Sequence, residues 1–132
     1  MIKILDAHAL MVFLEKEPGA KKVQHFFTDS IKENSELLMS AVNYGEVCYI
    51  ILRECGRKKL EEIENLIRTL PINIVSVDVW LAREAANFKA GNKLSYADCF
   101  AAALARIHKG GVITGDKEFK VLEREIKILW ID

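Results

Sequence analysis

Four acidic residues, Asp6, Glu46, Asp98 and Asp116, are spaced along the chain so that each is expected just beyond a strand of a parallel sheet. The carboxyl ends of parallel strands meet at one edge of a sheet, and ligands of open α/β sheets bind there. Carboxylates within about 4 Å of one another repel by on the order of 4 kcal/mol per pair at an effective dielectric of about 20. Such a cluster therefore requires protons or divalent cations among its charges.

The residue types near these acids indicate a hard metal ion. No set of histidines or cysteines has ligand spacing, so every candidate ligand is a carboxylate oxygen, which favours Mg²⁺ or Mn²⁺ over zinc. Sites of this kind commonly serve phosphoryl chemistry, in which one or two ions polarise the phosphate and bind the attacking water. The chain has neither a Walker lysine loop nor a dinucleotide fingerprint. We therefore predict hydrolysis of a phosphodiester.

Each acid also has a simpler explanation when it is considered alone. Asp6 and Asp98 could be ordinary helix caps, Asp116 a turn residue, and Glu46 a solvent-facing helix residue. Because all four are expected at the same edge of the sheet, one shared explanation is more economical than four separate ones.

The stretch from residue 94 to residue 119 holds two of these acids. Ser95 followed by Asp98 is a capping-box pattern, which predicts a helix that begins here and ends at Gly110-Gly111. The β-branched run 112–114 predicts a short strand, and Gly115 predicts a turn that presents Asp116.

The rest of the chain is predicted to supply the other strands and helices of an α/β fold. Strands are expected at 2–5, 37–39, 72–75 and 127–131, and helices at 7–14, 20–34, 41–54, 57–70, 79–90 and in a short segment around 118–122. Alternating strands and helices imply a central, mostly parallel sheet with helices on both faces. At this length, residues 1–132 are expected to form a single domain.

The composition restricts the partners and the compartment. Lys plus Arg and Asp plus Glu number 19 each, so nucleic acid would be bound through local patches, for which the candidates are Lys89, Lys93, Lys109, Lys117 and Lys120. Cys48, Cys55 and Cys99 show no paired spacing, and we expect reduced core thiols. No signal peptide or membrane-spanning run is present, so we predict a cytoplasmic protein with no membrane partner.

The helix predicted over 41–54 is apolar on nearly all sides. A helix without a polar face is either deeply buried or packed against another chain. We therefore expect an interface on this helix, with Tyr49 or Ile50 at the contact.

Four short motifs together resemble one family over nearly the whole chain. They are Leu5-Asp6-Ala7, Asn43-Tyr44-Gly45-Glu46, Leu94-Ser95-Tyr96-Ala97-Asp98 and Thr114-Gly115-Asp116-Lys117-Glu118-Phe119. In order and spacing this set resembles the PIN-domain ribonucleases, in the manner of the VapC toxins of VapBC-type toxin–antitoxin systems. The resemblance implies a PIN-like three-layer sandwich and a metal-dependent endoribonuclease that uses one or two Mg²⁺ or Mn²⁺ ions and is commonly a homodimer.

The resemblance also implies roles for individual residues. Asp6, Glu46 and Asp98 would be metal ligands, and Asp116 would bind the metal directly or through water. Glu118 would be an accessory acid. Ser95 and Thr114 would orient the cluster through their hydroxyls. His8 departs from the family, which commonly has serine or threonine at this position. The implied partners are RNA and a small antitoxin protein that covers the site.

Three other functions are consistent with parts of the pattern. The first is a non-catalytic PIN-like domain that binds RNA or protein, and the second is a nuclease that acts on DNA. The third is a receiver-like or phosphatase domain with Asp6 as phosphate acceptor, but His8 occupies the place of the second aspartate that such phosphatases use.

Overall fold

The computed structural model describes residues Met1–Asp132, and its centre is one sheet of five parallel strands in the order β3-β2-β1-β4-β5. The strands are β1 (Lys3–Leu5), β2 (Leu37–Ser40), β3 (Asn73–Val75), β4 (Gly111–Thr114) and β5 (Lys127–Trp130). In the central strand, Ile4 pairs with Leu38 on one side and with Val112 on the other. The predicted mostly parallel sheet is confirmed, and all four strand pairings are parallel.

Helices connect these strands. They are α1 (Ala7–Leu14), α2 (Ala20–Glu33), α3 (Ala41–Cys55), α4 (Arg57–Arg68), α5 (Val79–Gly91), α6 (Tyr96–His108) and a short 3₁₀ helix (Lys117–Leu122). Two helices lie between β1 and β2, between β2 and β3, and between β3 and β4, as the predicted bounds have it. The expectation that each of the four acids comes just beyond a strand was wrong for Asp98, because α5 lies between β3 and α6. Asp98 therefore follows α5 rather than a strand.

The two faces of the sheet are covered by different helices, which confirms the three-layer sandwich. Ile4 and Val112 point to a core shared with α5 and α6. Leu5 and Ile113, their neighbours along the same strands, point to a second core shared with α1 to α4. This alternation follows from the two-residue period of a strand. The apolar residues of the three inner strands, β2, β1 and β4, are buried because both faces of the sheet are covered, whereas those of the edge strands β3 and β5 are half-buried or exposed.

The sheet has a topological switch point between the neighbouring strands β1 and β4. The chain adds β2 and β3 on one side of β1 and then crosses to add β4 and β5 on the other side. A crevice opens at such a topological switch point, outside the carboxyl ends of the two strands. Asp6 follows β1 and Asp116 follows β4, so both residues lie at this crevice.

Gly110 permits the close approach of α6 to the start of β1. A methyl group at this position would lie 2.1 Å from the backbone carbonyl oxygen of Ile2, which is far inside van der Waals contact. The amide of Gly111 donates to the same carbonyl at 3.2 Å and begins the pairing of β4 with β1. Only glycine fits here without moving the two central strands apart, which would also move the acids at their ends.

The cysteines differ from the expectation of core thiols. All three are unpaired, but only Cys99 is buried, Cys48 is half-buried, and Cys55 is exposed. Cys55 is the last residue of α3, next to exposed Arg53 and Glu54, where the helix leaves the core. None of the helices combines the length and the apolar character that a membrane-spanning segment needs.

Candidate active site

Asp6 is buried at the end of β1, where it caps α1. Its Oδ1 accepts a hydrogen bond from the backbone N–H of Ala9 at 2.8 Å, and its side chain is only 1% exposed. Its Oδ2 is buried without any hydrogen-bond partner. Burying an unpaired carboxylate oxygen costs several kcal/mol in order of magnitude, so buried polar atoms of this kind normally have a proton, a donor or a cation beside them.

The pKa of Asp6 is raised by its burial and by the acids around it. Burial raises the pKa of Asp6 to about 7, and repulsion by Asp98 and Asp116 adds to this effect. The nearby Thr114 hydroxyl lowers the pKa in part, but it forms no hydrogen bond of good geometry with Oδ2. The unpaired oxygen of Asp6 therefore lies within electrostatic range of two further acids from different elements.

Asp98 is held in the first turn of α6 by the cap of that helix. Its backbone N–H donates to the Ser95 hydroxyl at 3.2 Å. Burial raises the pKa of Asp98 to about 6, with repulsion from Asp116 as the next cause and smaller contributions from Glu46 and Glu118, while Ser95 lowers it. The cap thus explains where Asp98 lies, but it does not explain the other acids around it.

Asp116 and Glu118 lie on the turn that follows β4. The N–H of Asp116 donates to the Thr114 hydroxyl at 2.9 Å, and Asp116 Oδ1 accepts from the N–H of Glu118 at 2.9 Å. Carboxylate oxygens of Asp98, Asp116 and Glu118 all lie within 4.8 Å of one another. Glu118 thus belongs to the tightest acidic group, while Asp6 and Glu46 lie outside that group.

Glu46 is oriented by a residue to which sequence reasoning gave no role. Asn43 is fully buried, and its Nδ2 donates to Glu46 Oε1 at 3.0 Å and to the carbonyl oxygen of Ala97 at 3.1 Å. The Ser40 hydroxyl donates to Asn43 Oδ1 at 2.9 Å. A single amide thus joins Glu46 of α3 to the backbone of α6 at the residue before Asp98. The signal in the sequence was an asparagine one turn before Glu46 in an otherwise apolar helix.

We expect Asn43→Ala to lower the free energy of unfolding by about 2–3 kcal/mol, because it leaves the buried Ser40 hydroxyl and the Ala97 carbonyl without their partner. Chemical denaturation would measure the change, with Asn87→Ala on the exposed face of α5 as the matched control. Equal stability of the two variants, within about 0.5 kcal/mol, would contradict the structural role of this amide.

Three of the four predicted acids, Glu46, Asp98 and Asp116, open into a cleft of about 460 Å³, whereas the buried Asp6 does not line it. Its lining consists of five carboxylates, one hydroxyl, one imidazole and three apolar side chains, namely Glu15, Glu46, Asp98, Asp116, Glu118, Ser95, His8, Ala7, Met11 and Ile50. None of the five lysines proposed for RNA lines the cleft, and the Lys89 ammonium donates to the carbonyl of Leu94 at 2.7 Å. A larger groove of about 710 Å³ beside Phe13, Leu14 and Leu66 contains none of the four acids.

The donor set suits a hard divalent cation. Five carboxylates supply most of the possible ligand atoms, with His8 as the single nitrogen donor, and no cysteine lines the cleft. Carboxylate oxygens are the ligands that Mg²⁺ and Mn²⁺ prefer. The unpaired buried Oδ2 of Asp6 is the atom that most needs a cation beside it. The arrangement therefore fits a metal ion at the switch point between β1 and β4.

Comparisons with known proteins agree with this architecture. The sequence model of the PIN domain family matches residues 3–125. The structure is similar to that of VapBC2 from Rickettsia felis, which was solved bound to a DNA fragment from the VapBC2 promoter. The TM-score is 0.82 and the identity 15%, over 100% of both chains. It is also similar to VapBC-1 from nontypeable Haemophilus influenzae, with a TM-score of 0.73 and 16% identity over 98% of each chain.

A third similar structure is the Mycobacterium tuberculosis toxin VapC20, which cleaves the sarcin-ricin loop; its TM-score is 0.64 at 15% identity, with 90% of this chain and 93% of that chain covered. No curated protein sequence gives a significant match. At these identities the structural similarities concern the fold.

Proposed function

Since the chain belongs to the PIN domain family, we propose that it is a metal-dependent endoribonuclease and the toxin component of a VapBC-type toxin–antitoxin system. The observation that carries this proposal is the buried, unpaired Oδ2 of Asp6. Burial raises the pKa of Asp6, and repulsion by Asp98 and Asp116 raises it further. The similarity to VapBC complexes and to an RNA-cleaving VapC toxin supports the substrate and the system.

We propose that Asp6, Asp98 and Asp116 hold the principal ion, Mg²⁺ or Mn²⁺, and that a second ion binds near Glu46. When bound, the metal supplies Lewis acidity toward the scissile phosphate and a water of lowered pKa as nucleophile. Asn43 orients Glu46 so that its carboxylate directs that water or holds the second ion.

Ser95 and Thr114 act through the backbone. Their hydroxyls accept from the N–H groups of Asp98 and Asp116 and so fix the positions of these two acids before substrate arrives. Glu118 adds negative charge next to both acids and serves as an accessory ligand. Preorganised ligands of this kind lower the cost of binding the ion in the productive geometry.

The experiment that tests this proposal is cleavage of a mixed RNA substrate by the purified protein with Mg²⁺ or Mn²⁺ and with EDTA. We expect fragments only in the presence of metal. A single-stranded DNA of the same sequence in a parallel reaction distinguishes a ribonuclease from a DNA nuclease. RNA binding without cleavage at any metal concentration would favour the alternative, a non-catalytic PIN-like domain that binds RNA or protein.

We also propose a small antitoxin protein that covers the cleft and a cytoplasmic location for the complex. The cleft is strongly acidic and the chain has no net charge overall, so a partner that brings cationic side chains would relieve the repulsion among the acids. The product of an open reading frame next to this gene is the first candidate, and its co-expression should inhibit RNA cleavage.

A homodimer through α3 is the proposed assembly of residues 1–132, which we treat as one domain. Tyr49 is 52% exposed and Leu52 is 40% exposed on this helix, whereas Ile50 lines the cleft. We expect the pair Tyr49→Glu and Leu52→Glu to raise the dimer dissociation constant at least about tenfold, because two apolar contacts are lost.

Light scattering at several protein concentrations would measure this change in association. The matched control is Ile31→Glu, which alters a 67% exposed apolar residue on α2. An unchanged mass for the α3 variant, or equal loss of association in the control, would exclude this helix as the contact.

A further inference from the structure

His8 is the only nitrogen-bearing side chain among the residues that line the acidic cleft. The other polar groups of the lining are five carboxylates and the Ser95 hydroxyl, and neither lysine nor arginine is present. A phosphodiester that enters this cleft therefore meets a surface of like charge, apart from the proposed metal. Among the lining side chains, only His8 can donate a nitrogen-bound proton to the non-bridging oxygens of the phosphate.

The position of His8 is set by the glycine turn that presents Asp116. A methyl group at Gly115 would lie 2.8 Å from His8 Cε1 and 3.2 Å from His8 Nδ1, so the imidazole packs directly over the backbone of Gly115. Glycine at this position makes room for the ring. The side chain is exposed, and it belongs to the first turn of α1, two residues after Asp6.

The ring nitrogens are available to a ligand. The hydrogen bonds around the turn use the Thr114 hydroxyl, the Asp116 carboxylate and the N–H groups of Asp116 and Glu118, and none of them uses His8. The tight group of acids consists of Asp98, Asp116 and Glu118 and does not include the imidazole. His8 thus lies at the rim of the metal-binding acids, with its packing face on Gly115 and its donor capacity unused.

We propose that His8 binds the RNA substrate by donating an N–H to a non-bridging oxygen of a phosphate next to the scissile one. This inference rests on the proposed ribonuclease function, which it deepens by assigning a substrate contact. A neutral imidazole has one N–H donor, so the contact does not depend on a charged ring. Contacts of this type position a nucleic acid without reading its sequence.

The test separates the donor from the packing of the ring. His8→Phe keeps an aromatic ring over Gly115 and removes the N–H, whereas His8→Gln keeps an N–H donor and removes the ring. We expect His8→Phe and His8→Ala to raise KM for RNA about tenfold with kcat changed less than about threefold, and His8→Gln to retain most of the affinity. His25→Ala, which changes an exposed histidine on α2, is the control and should keep the wild-type KM.

Calorimetric titration of each variant with Mn²⁺ alone, followed by RNA binding in Ca²⁺, gives readouts besides cleavage. We expect unchanged Mn²⁺ affinity and an RNA dissociation constant that rises in parallel with KM. Weakened Mn²⁺ binding with unchanged RNA affinity would overturn the proposal and make His8 a metal ligand. Wild-type affinity of His8→Phe for RNA would overturn it as well. If the wild-type protein cuts no RNA, the proposed ribonuclease function is overturned. If the wild-type protein and the His8 variants all cut RNA with the same KM, only the proposed role of His8 is overturned.

Discussion

Replacing Asp98 by Asn is expected to reduce metal-dependent RNA cleavage at least about 10³-fold, because it removes a proposed metal ligand from the close group of Asp98, Asp116 and Glu118. Changes in the residues that merely support metal ligands cost about 10- to 100-fold, so the loss of a ligand should exceed that range. The substitution keeps the shape of the side chain and leaves the Ser95 cap intact, since that bond uses the backbone N–H of residue 98. The fold should therefore survive.

The matched control for this experiment is Asp78→Asn. Asp78 caps α5 through the N–H of Leu81 at 2.8 Å, in the same way that Asp6 caps α1, but it lines no part of the cleft. We expect the control to cleave RNA at the wild-type rate and Asp98→Asn to show a native circular dichroism spectrum without cleavage. An Asp98→Asn protein with more than about a tenth of wild-type activity would remove Asp98 from the metal site.

The second large effect is the pH dependence of stability without metal. The folded-state pKa of Asp6 is about 7, above its ordinary value of 3.8, because burial disfavours the charged form. Between these two values the folded state binds more protons than the unfolded state, so stability falls as pH rises. The stabilisation is fully present below pH 3.8 and is lost as pH rises through about 7. A shift of this size corresponds to about 4 kcal/mol in order of magnitude.

Thermal unfolding in EDTA at pH 5 and pH 7.5 would measure this effect. We expect the wild-type protein to unfold at a lower temperature at pH 7.5, and Mg²⁺ to restore stability there more than at pH 5. Asp6→Asn keeps an oxygen that accepts from the Ala9 N–H, so it should retain the helix cap and show a flatter pH profile. Parallel profiles of wild type and Asp6→Asn would show that Asp6 does not carry this dependence.

Local rules in the sequence predicted most of the elements that hold the acids. Helix α1 ends at the predicted residue, α3 ends one residue beyond its predicted end, and the Ser95 cap begins α6 where the sequence predicts it. These signals depend on backbone preferences within a few residues, and sequence patterns represent such preferences well. The position of Asp98 and of Asp116 followed from them.

The interactions between distant elements were not predictable in the same way. Asn43 bonds to Ala97, which lies 54 residues away, and no local pattern indicates that contact. Glu118 was expected to be an accessory acid, and its place in the tightest group depends on how the turn after β4 packs against α6. The lysines that looked suitable for RNA lie outside the cleft for the same reason, since their positions depend on tertiary packing.

The most direct test of the proposed metal site is an anomalous difference map from crystals of the wild-type protein soaked in Mn²⁺. We expect a peak within coordination distance of the Asp6, Asp98 and Asp116 carboxylates, and no such peak in crystals of Asp98→Asn. A protein saturated with Mn²⁺ in solution that shows no peak at these residues, or a peak only elsewhere, would contradict the claim that these acids form the metal site.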